Sequence, residues 1–524
     1  MTASGVGGDS TGTVRPDAAR QEVTGHRLIR NTVINGAANA LGALLTIALT
    51  PFFLHRLGAP QYGVWLLALT LTFSSGYVVL ADLGLQEAVV RFVAEARARD
   101  ATEVVSRVAA STLIVFLAVG TFAAAAVVLV APLLVHLFHV PASLQGSARV
   151  IFSMVAASIL LELPTAAFLS VIEGAQRYGW LRAIDVGQRI GWAAFSVAAV
   201  LLGGGILWLA AALLASTVVQ AVAAVAVARH VQPGLVIRPG LVDRPTLRRL
   251  FGYGWLVSVL RVASVVYAQM DRAIVGIAIG VSAVARYEVV NRIESGATFA
   301  LVTASSAVLP ASAYNVARTD TERQRELYVR GSRYAVAFAA PITLSAMLYA
   351  RPLISTWVGP AYADLVPTTQ LFLAFPLFWC VHVVGINMLV GQGRIGRLTV
   401  LQAGSVLLNL LLSIALVRPL GIAGVVTGTV VANATVFVPY LRLLLTAFEC
   451  SLATWVRRVV APNLPGVAAQ VAFGLLTLGL AERTGNFWTA VAMCVASCAV
   501  SAAAFLFVGI RGEERATLLR QVRG

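Results

Sequence analysis

The chain reads as an all-α polytopic membrane protein of about 14 transmembrane helices. Spans 1–6 and 7–12 form two six-helix lobes related by a pseudo-two-fold axis along the membrane normal, and two further helices follow. Three observations predict this: an apolar composition, a one-sided distribution of arginine, and an internal repeat. Of 524 residues, 59% are hydrophobic and 12% charged, with mean hydropathy +0.84. A soluble globular chain is about half apolar and about a quarter charged.

Taken in order, residues 1–29 are polar and Gly/Thr-rich and predict a disordered cytoplasmic N-terminus. The first apolar run, 32–54, is long enough to span, since a span needs about 20 residues. Spans 2–6 are expected at 62–83, 108–137, 150–172, 181–202 and 206–227. Spans 7–12 are expected at 251–279, 287–308, 334–357, 365–390, 398–417 and 421–445, and the final pair at 459–480 and 487–508. This divides the chain into an N-lobe (30–229), a cytoplasmic linker (230–250), a C-lobe (251–447), spans 13–14 (448–510) and a cytoplasmic tail (511–524).

Arginine tests this division. On this topology 29 of the 39 basic residues lie in segments on the N-terminal side of the membrane, 6 lie in loops on the other side, and 4 lie within spans. The positive-inside rule makes the arginine-rich side cytoplasmic, so both termini are expected there, in the cytoplasmic (inner) membrane. The net charge of +16 is therefore a topology signal and not a nucleic-acid one.

The repeat appears without gaps at a shift of 217 residues. Gly174-Ala-Gln-Arg177-Tyr-Gly179-Trp-Leu181 lies over Gly391-Gln-Gly-Arg394-Ile-Gly396-Arg-Leu398, and Gly187 and Gly204 fall on Gly404 and Gly421. Leu57-Gly58 followed by Tyr62 echoes Ile279-Gly280 followed by Tyr287. Six spans return the chain to its starting side, so the lobes share an orientation and a site is expected between them.

No lysine is present; all 39 basic residues are arginine. That excludes a Walker A phosphate loop and lysine nucleophiles. Cys380, Cys450, Cys494 and Cys498 lie in or beside apolar segments, without disulfide spacing. No enzymatic activity, cofactor or metal is expected.

Charges inside spans are the candidate functional groups. An ionisable group at membrane depth costs about 2.5–3.5 kcal/mol on the insertion scale, so it faces a polar interior. The segment 261–295 holds Arg261, Asp271, Arg272, Glu288, Arg292 and Glu294. The arginines either pair with Asp271, Glu288 and Glu294 as structure or present guanidinium groups to a cavity; Glu288 and Arg292 stand in the favourable i, i+4 order. Span 1 and its approach place Asn31, Asn35, Asn39, Gly42, Thr46 and Thr50 on one face, as a polar cavity wall or as small residues for helix packing. Asp185 and Arg189 predict a local pair in span 5. Glu162, beside Pro164, is a candidate H+ or Na+ site, because a kink frees a backbone carbonyl. His382, Asn387, Asn409 and Asn433 read as interior hydrogen-bonding groups.

Four motifs carry a family resemblance. They are Leu57-Gly58-Ala-Pro-Gln-Tyr62-Gly63; Asp82-Leu-Gly84-Leu with Ala88 and Arg91; Gln269-Met-Asp271 with Ala285-Arg-Tyr287 and Arg292; and Gly421-Ile-Ala-Gly424 with Gly428-Thr429. In this order the chain resembles the polysaccharide (oligosaccharide-lipid) flippases of the multidrug/oligosaccharidyl-lipid/polysaccharide (MOP) exporter superfamily. The resemblance implies a V-shaped pair of lobes working by alternating access on a polyprenyl-diphosphate-linked oligosaccharide. It implies membrane lipids, and glycosyltransferases or a polymerase of the same pathway, as partners, with no nucleic acid. Arg261, Arg272 and Arg292 would meet the diphosphate, and Asn35 and Asn39 the glycan. Asp271, Glu288, Glu294 and Glu162 would serve as charge partners or coupling groups. A multidrug exporter of the same superfamily is the alternative, although such exporters carry an acidic residue in span 1 and 32–54 has none. A non-transporting scaffold of an assembly complex is the other. A membrane glycosyltransferase or polymerase needs an outer catalytic loop, and the longest here, 138–149, holds no Asp or Glu.

Overall fold

The computed structural model describes residues 18–72, 76–305, 321–510 and 515, and among them there is no strand. Helix α1 (Ala18–Leu69) carries span 1 and opens span 2. It begins within the segment expected to lack structure. Gly58, at φ 77° and ψ 162°, interrupts it, a backbone state only glycine adopts freely. The N-lobe continues with α2 (Leu85–Ala98), α3 (Thr102–Leu137), α4 (Ala142–Gly174), α5 (Tyr178–Leu201) and α6 (Ile206–Val231). The C-lobe holds α7 (Arg244–Ala278), α8 (Val281–Ser305), α9 (Thr321–Leu348), α10 (Ala350–Trp357), α11 (Val366–Phe372), α12 (Ala374–Gly391), α13 (Gly396–Leu420) and α14 (Ile422–Ala447). A short α15 (Leu452–Trp455) leads into α16 (Leu464–Thr484) and α17 (Phe487–Ala504).

Every expected span finds helix among the described residues, but spans 2 and 9 depart most from one continuous run. Span 2 was expected as one run over 62–83. Instead α1 ends at Leu69, a 3-10 turn covers Tyr77–Asp82, and α2 carries the span on to Ala98. The hydroxyls of Thr70 and Thr72 bond carbonyls three residues back, at 2.6 and 2.8 Å, and Leu83 and Gly84 are both left-handed. Span 9 bends by 67° between α9 and α10. Among the described residues nine helices are long and apolar enough to cross a membrane, ten if that bent pair is one span. The expected spans outside that set are the broken span 2 and α5, α7 and α8, which carry the ionisable residues.

The repeat recurs in backbone detail. After α4, the Arg177 N–H donates to the Ile172 carbonyl at 3.2 Å, with Gln176 at φ 57°. After α12, the Arg394 N–H donates to the Leu389 carbonyl at 2.9 Å, with Gly393 at φ 70°. Both partners keep the shift of 217.

Within each lobe long helices pack in pairs, α3 on α4 and α13 on α14. Large apolar side chains such as Phe122, Leu129, Val400 and Leu476 remain exposed, as a lipid-facing surface requires. Span 7 crosses span 2 at one end, where a Cβ on Gly84 would lie 2.2 Å from the Gly254 carbonyl oxygen. At the other end α1 packs on α8, and a Cβ on Gly63 would meet the Val281 carbonyl oxygen at 1.8 Å. Helices α16 and α17 dock on α9: Gln470 Nε2 donates to the Pro341 carbonyl and to Ser345 Oγ, at 2.7 and 2.8 Å. Cys494 and Cys498 pack against the same Ser345.

The inter-lobe linker is held against the N-lobe. Arg97 reaches the Val231 carbonyl and Gln232, and Ser106 accepts the Val236 N–H. Asp243 caps α7 by accepting the Thr246 N–H at 2.7 Å, and Arg107 approaches it at 3.3 Å. Hydrogen bonds from Thr246, with the nearby Arg107 charge, hold its carboxyl below the ordinary aspartate value.

Candidate functional site

The broken span 2, the proline-containing α4 and the charged α7 and α8 converge on one cavity of about 780 Å³. Its lining comes from α1, α2, α4, α5 and α6 of the N-lobe and from α7 and α8 of the C-lobe. Charged members are Glu162, Asp185, Arg189, Arg272 and Arg292.

On the C-lobe wall, Glu288 is the anchor. It is fully buried (0% exposed), and two of the three predicted arginines, Arg272 and Arg292, share it. Arg272 grips it with two nitrogens, Nε at 2.9 Å and Nη2 at 3.3 Å, and Arg292 Nη2 lies 2.5 Å from Oε1. Arg272 also donates Nη1 to Gln269 at 2.8 Å. The carboxylate lies behind and the guanidinium groups line the cavity. One carboxylate against two guanidinium groups leaves a local charge of one positive unit.

Across the cavity, Asp185 is flanked on its own helix by Arg189 at 3.1 Å and Arg182 at 3.6 Å, as the i, i+4 reading expected for Arg189. Arg189 also leans on span 1, for a Cβ on Gly42 would lie 2.3 Å from its Nη1. Thr46 lines the cavity and returns its hydroxyl to the Gly42 carbonyl. Glu162 is buried on α4 two residues before Pro164 and lines the same space.

Two expected charge partners have other company. Asp271 was grouped with the arginines, yet its Oδ2 accepts from the Tyr287 hydroxyl at 3.0 Å and the Thr429 hydroxyl at 3.2 Å. Thr429 leads on to Asn409 and Ser413, so this network ties α7 to α8, α13 and α14 inside the C-lobe. Glu294 accepts from Thr298 and Ser295. Neither lines the cavity, and Asp271 Oδ1 is buried without a hydrogen-bond partner. Asn409, Asn433 and His382 are interior hydrogen-bonding groups, as expected. The side chains of Asn35, Asn39 and Arg261 lie outside the described residues.

Sequence reasoning missed the polar lining. Gln86, Gln188, Gln220 and Gln269 reach the cavity from α2, α5, α6 and α7. Each is the one glutamine of its helix, and only the tertiary arrangement gathers them. Each offers a carbonyl acceptor and two N–H donors, the complement of a hydroxyl-rich molecule.

Residues 54–367 match the family described as "Polysaccharide biosynthesis protein", more than half of the chain. No curated protein matches in sequence. The fold resembles the lipid II flippase MurJ in an inward closed conformation, with TM-score 0.67 and 13% identity, covering 92% of this chain and 100% of that one. It also resembles an inward-facing multidrug resistance MATE family transporter of the MOP superfamily, with TM-score 0.66 and 15% identity, covering 80% and 94%. A MOP superfamily transporter from Pyrococcus furiosus gives TM-score 0.58 and 15% identity, covering 81% and 96%. The chain belongs to the polysaccharide biosynthesis protein family and has the two-lobed fold of the MOP superfamily.

Proposed function

We propose that this protein carries a polyprenyl-diphosphate-linked oligosaccharide across the cytoplasmic membrane by alternating access of its two lobes. One observation supports the reading above the others: guanidinium groups from both lobes, Arg189 on one side and Arg272 and Arg292 on the other, line a single polar cavity. A planar guanidinium fork suits phosphate oxygens better than an ammonium does. The four glutamines suit a glycan, and the prenyl tail can stay in the bilayer. Membership of a polysaccharide biosynthesis family agrees with such a cargo. Glu162, buried at the cavity wall, is the group we assign to coupling with H+ or Na+. We further assign Arg261, Asn35 and Asn39 to the cavity wall. Both termini are assigned to the cytoplasm, which reporter fusions after Thr484 (outside) and Gly524 (inside) check.

Arg292→Ala tests the proposal, because the shared anchor protects the fold. Glu288 keeps its two bonds to Arg272 when Arg292 is lost, so no buried carboxylate is stranded. The variant is expected to reach the membrane in near-normal amount and to lose export of the lipid-linked glycan. Arg292→Lys should recover part of it, since a point charge lacks the bidentate fork. Full export by a normally expressed Arg292→Ala protein would remove this site from the mechanism. Efflux of cationic drugs with no glycan phenotype would favour the multidrug reading.

A further inference from the structure

A second concavity lies away from the inter-lobe cavity, between the arginine-rich ends of α13 and α14. It encloses about 490 Å³ and is lined by Arg394, Arg397 and Arg442 with Val400, Leu401, Pro439 and Leu443. Three guanidinium groups around one hollow repel each other. Among the described residues no carboxylate lies within ion-pair distance of any of them, whereas many other arginines of this chain have such a partner. The two helices are packed together beside it: Leu398 and Leu444 are buried, and the Tyr440 hydroxyl donates to Gln402 Oε1 at 3.2 Å.

Beyond the arginines the surface turns apolar. Val400, Leu407, Leu411 and Ile414 are all more than half exposed and stand at helical spacing on one face of α13. A cationic head above a long apolar wall is the complement of an anionic amphiphile. We propose that this groove binds an anionic phospholipid of the surrounding membrane, its headgroup phosphate held by Arg394, Arg397 and Arg442 and an acyl chain along Val400 to Ile414.

The repeat argues that the cluster is more than a topology signal. At the shift of 217, Arg394 corresponds to Arg177, but Arg397 falls on Trp180, whose ring lies 6.2 Å from His230. The stretch of α6 opposite Arg442 has no arginine before Arg229. Both turns face the same way, so a rule that merely places arginine on one side would treat them alike. The N-lobe counterpart has Arg177, Arg182 and Arg229, of which Arg182 pairs with Asp185, whereas the three C-lobe arginines line one hollow and have no carboxylate partner among the described residues.

The test uses the full chain in detergent, titrated separately with phosphatidylglycerol and phosphatidylcholine, with bound lipid counted by native mass spectrometry. Wild-type protein should retain phosphatidylglycerol selectively. Each arginine near an anionic headgroup contributes about fivefold, so Arg394→Gln/Arg397→Gln/Arg442→Gln should weaken retention on the order of 100-fold. Arg177→Gln in the N-lobe should leave it unchanged. Inorganic phosphate should fail to displace the lipid; ready displacement would make soluble phosphate the ligand and overturn the proposal. Should the triple variant not fold, a phosphatidylglycerol with a photoreactive acyl chain settles the question on wild type, with labelling expected within 400–414. Equal retention of the two lipids, retention by the folded triple variant, or labelling confined elsewhere would overturn it.

Discussion

Glu288 in the C-lobe and Asp185 in the N-lobe each gather two arginines beside the same cavity, yet they are built differently. Glu288 is inaccessible and receives Arg272 from α7, sixteen residues away, and Arg292 from its own helix. Asp185 keeps its side chain 27% exposed, and both its partners lie within four residues on α5. The first centre joins two helices, and the second decorates one. Burial removes water as an alternative partner, so the Glu288 cluster must stay intact in every state of the protein. Water remains available to Asp185, so Arg189 can leave it for another anion at little cost. On this comparison the C-lobe cluster is a fixed wall that presents charge, and the N-lobe pair is an exchangeable one.

The largest effect should come from Glu288→Gln. It leaves two guanidinium groups crowded together with no counter-charge, and breaking a buried pair in this way costs about 3–5 kcal/mol. Thermal unfolding in detergent should show a large loss, and less folded protein should reach the membrane. A melting temperature within a degree or so of wild type would show that water already reaches the carboxylate, and the contrast between the lobes would fail.

Tyr287→Phe probes the intermediate case. Asp271 is as buried as the Glu288 cluster but is held by hydroxyls, so the change removes one hydrogen bond to a charged group and leaves Thr429 in place. Such a bond contributes about 1.5–3 kcal/mol. The loss should fall between those of Glu288→Gln and Asp185→Asn by the same melting assay. A loss as large as that of Glu288→Gln would place Asp271 in the charge cluster after all.

Much of this architecture was legible in the sequence because the bilayer imposes simple rules. Apolar length marks the spans, and arginine asymmetry marks their order. The repeat located matching turns at Arg177 and Arg394, down to the same hydrogen bond. The Glu288–Arg292 pair was legible because i, i+4 spacing is a local property. Arg272 on Glu288 was legible only as one of several possible pairings, since the choice depends on how α7 turns at Gly280 and packs on α8. Nor was it legible that Asp271 takes its hydrogen bonds from Tyr287 and Thr429, since proximity in sequence to Arg272 says nothing about which side of α7 each occupies. The break in span 2 was hidden as well. Thr70, Thr72, Ser74, Ser75 and Gly76 fall there, but a count of apolar length reads across them, and the left-handed Leu83 carries no compositional mark. Four isolated glutamines could not announce a shared cavity, because amides one per helix acquire meaning only when the helices are assembled.

The smallest effect on stability should follow Asp185→Asn, and it sharpens the comparison most. Pairs of this exposure and spacing contribute about 0.3–0.5 kcal/mol, so the melting temperature should barely move. The carboxylate does, however, compete for Arg189, whose guanidinium otherwise lies against Gly42 at the cavity wall. With Asp185 neutralised, Arg189 is freer to meet an anionic cargo, and binding of a polyprenyl-diphosphate-linked sugar should tighten. Release should slow correspondingly, so export falls while the protein remains folded. Tighter binding with slower export separates this outcome from simple damage, which weakens both. Unchanged binding in Asp185→Asn, with Arg292→Ala still inactive, would leave the phosphate to the C-lobe wall alone and make the N-lobe pair a structural feature of α5.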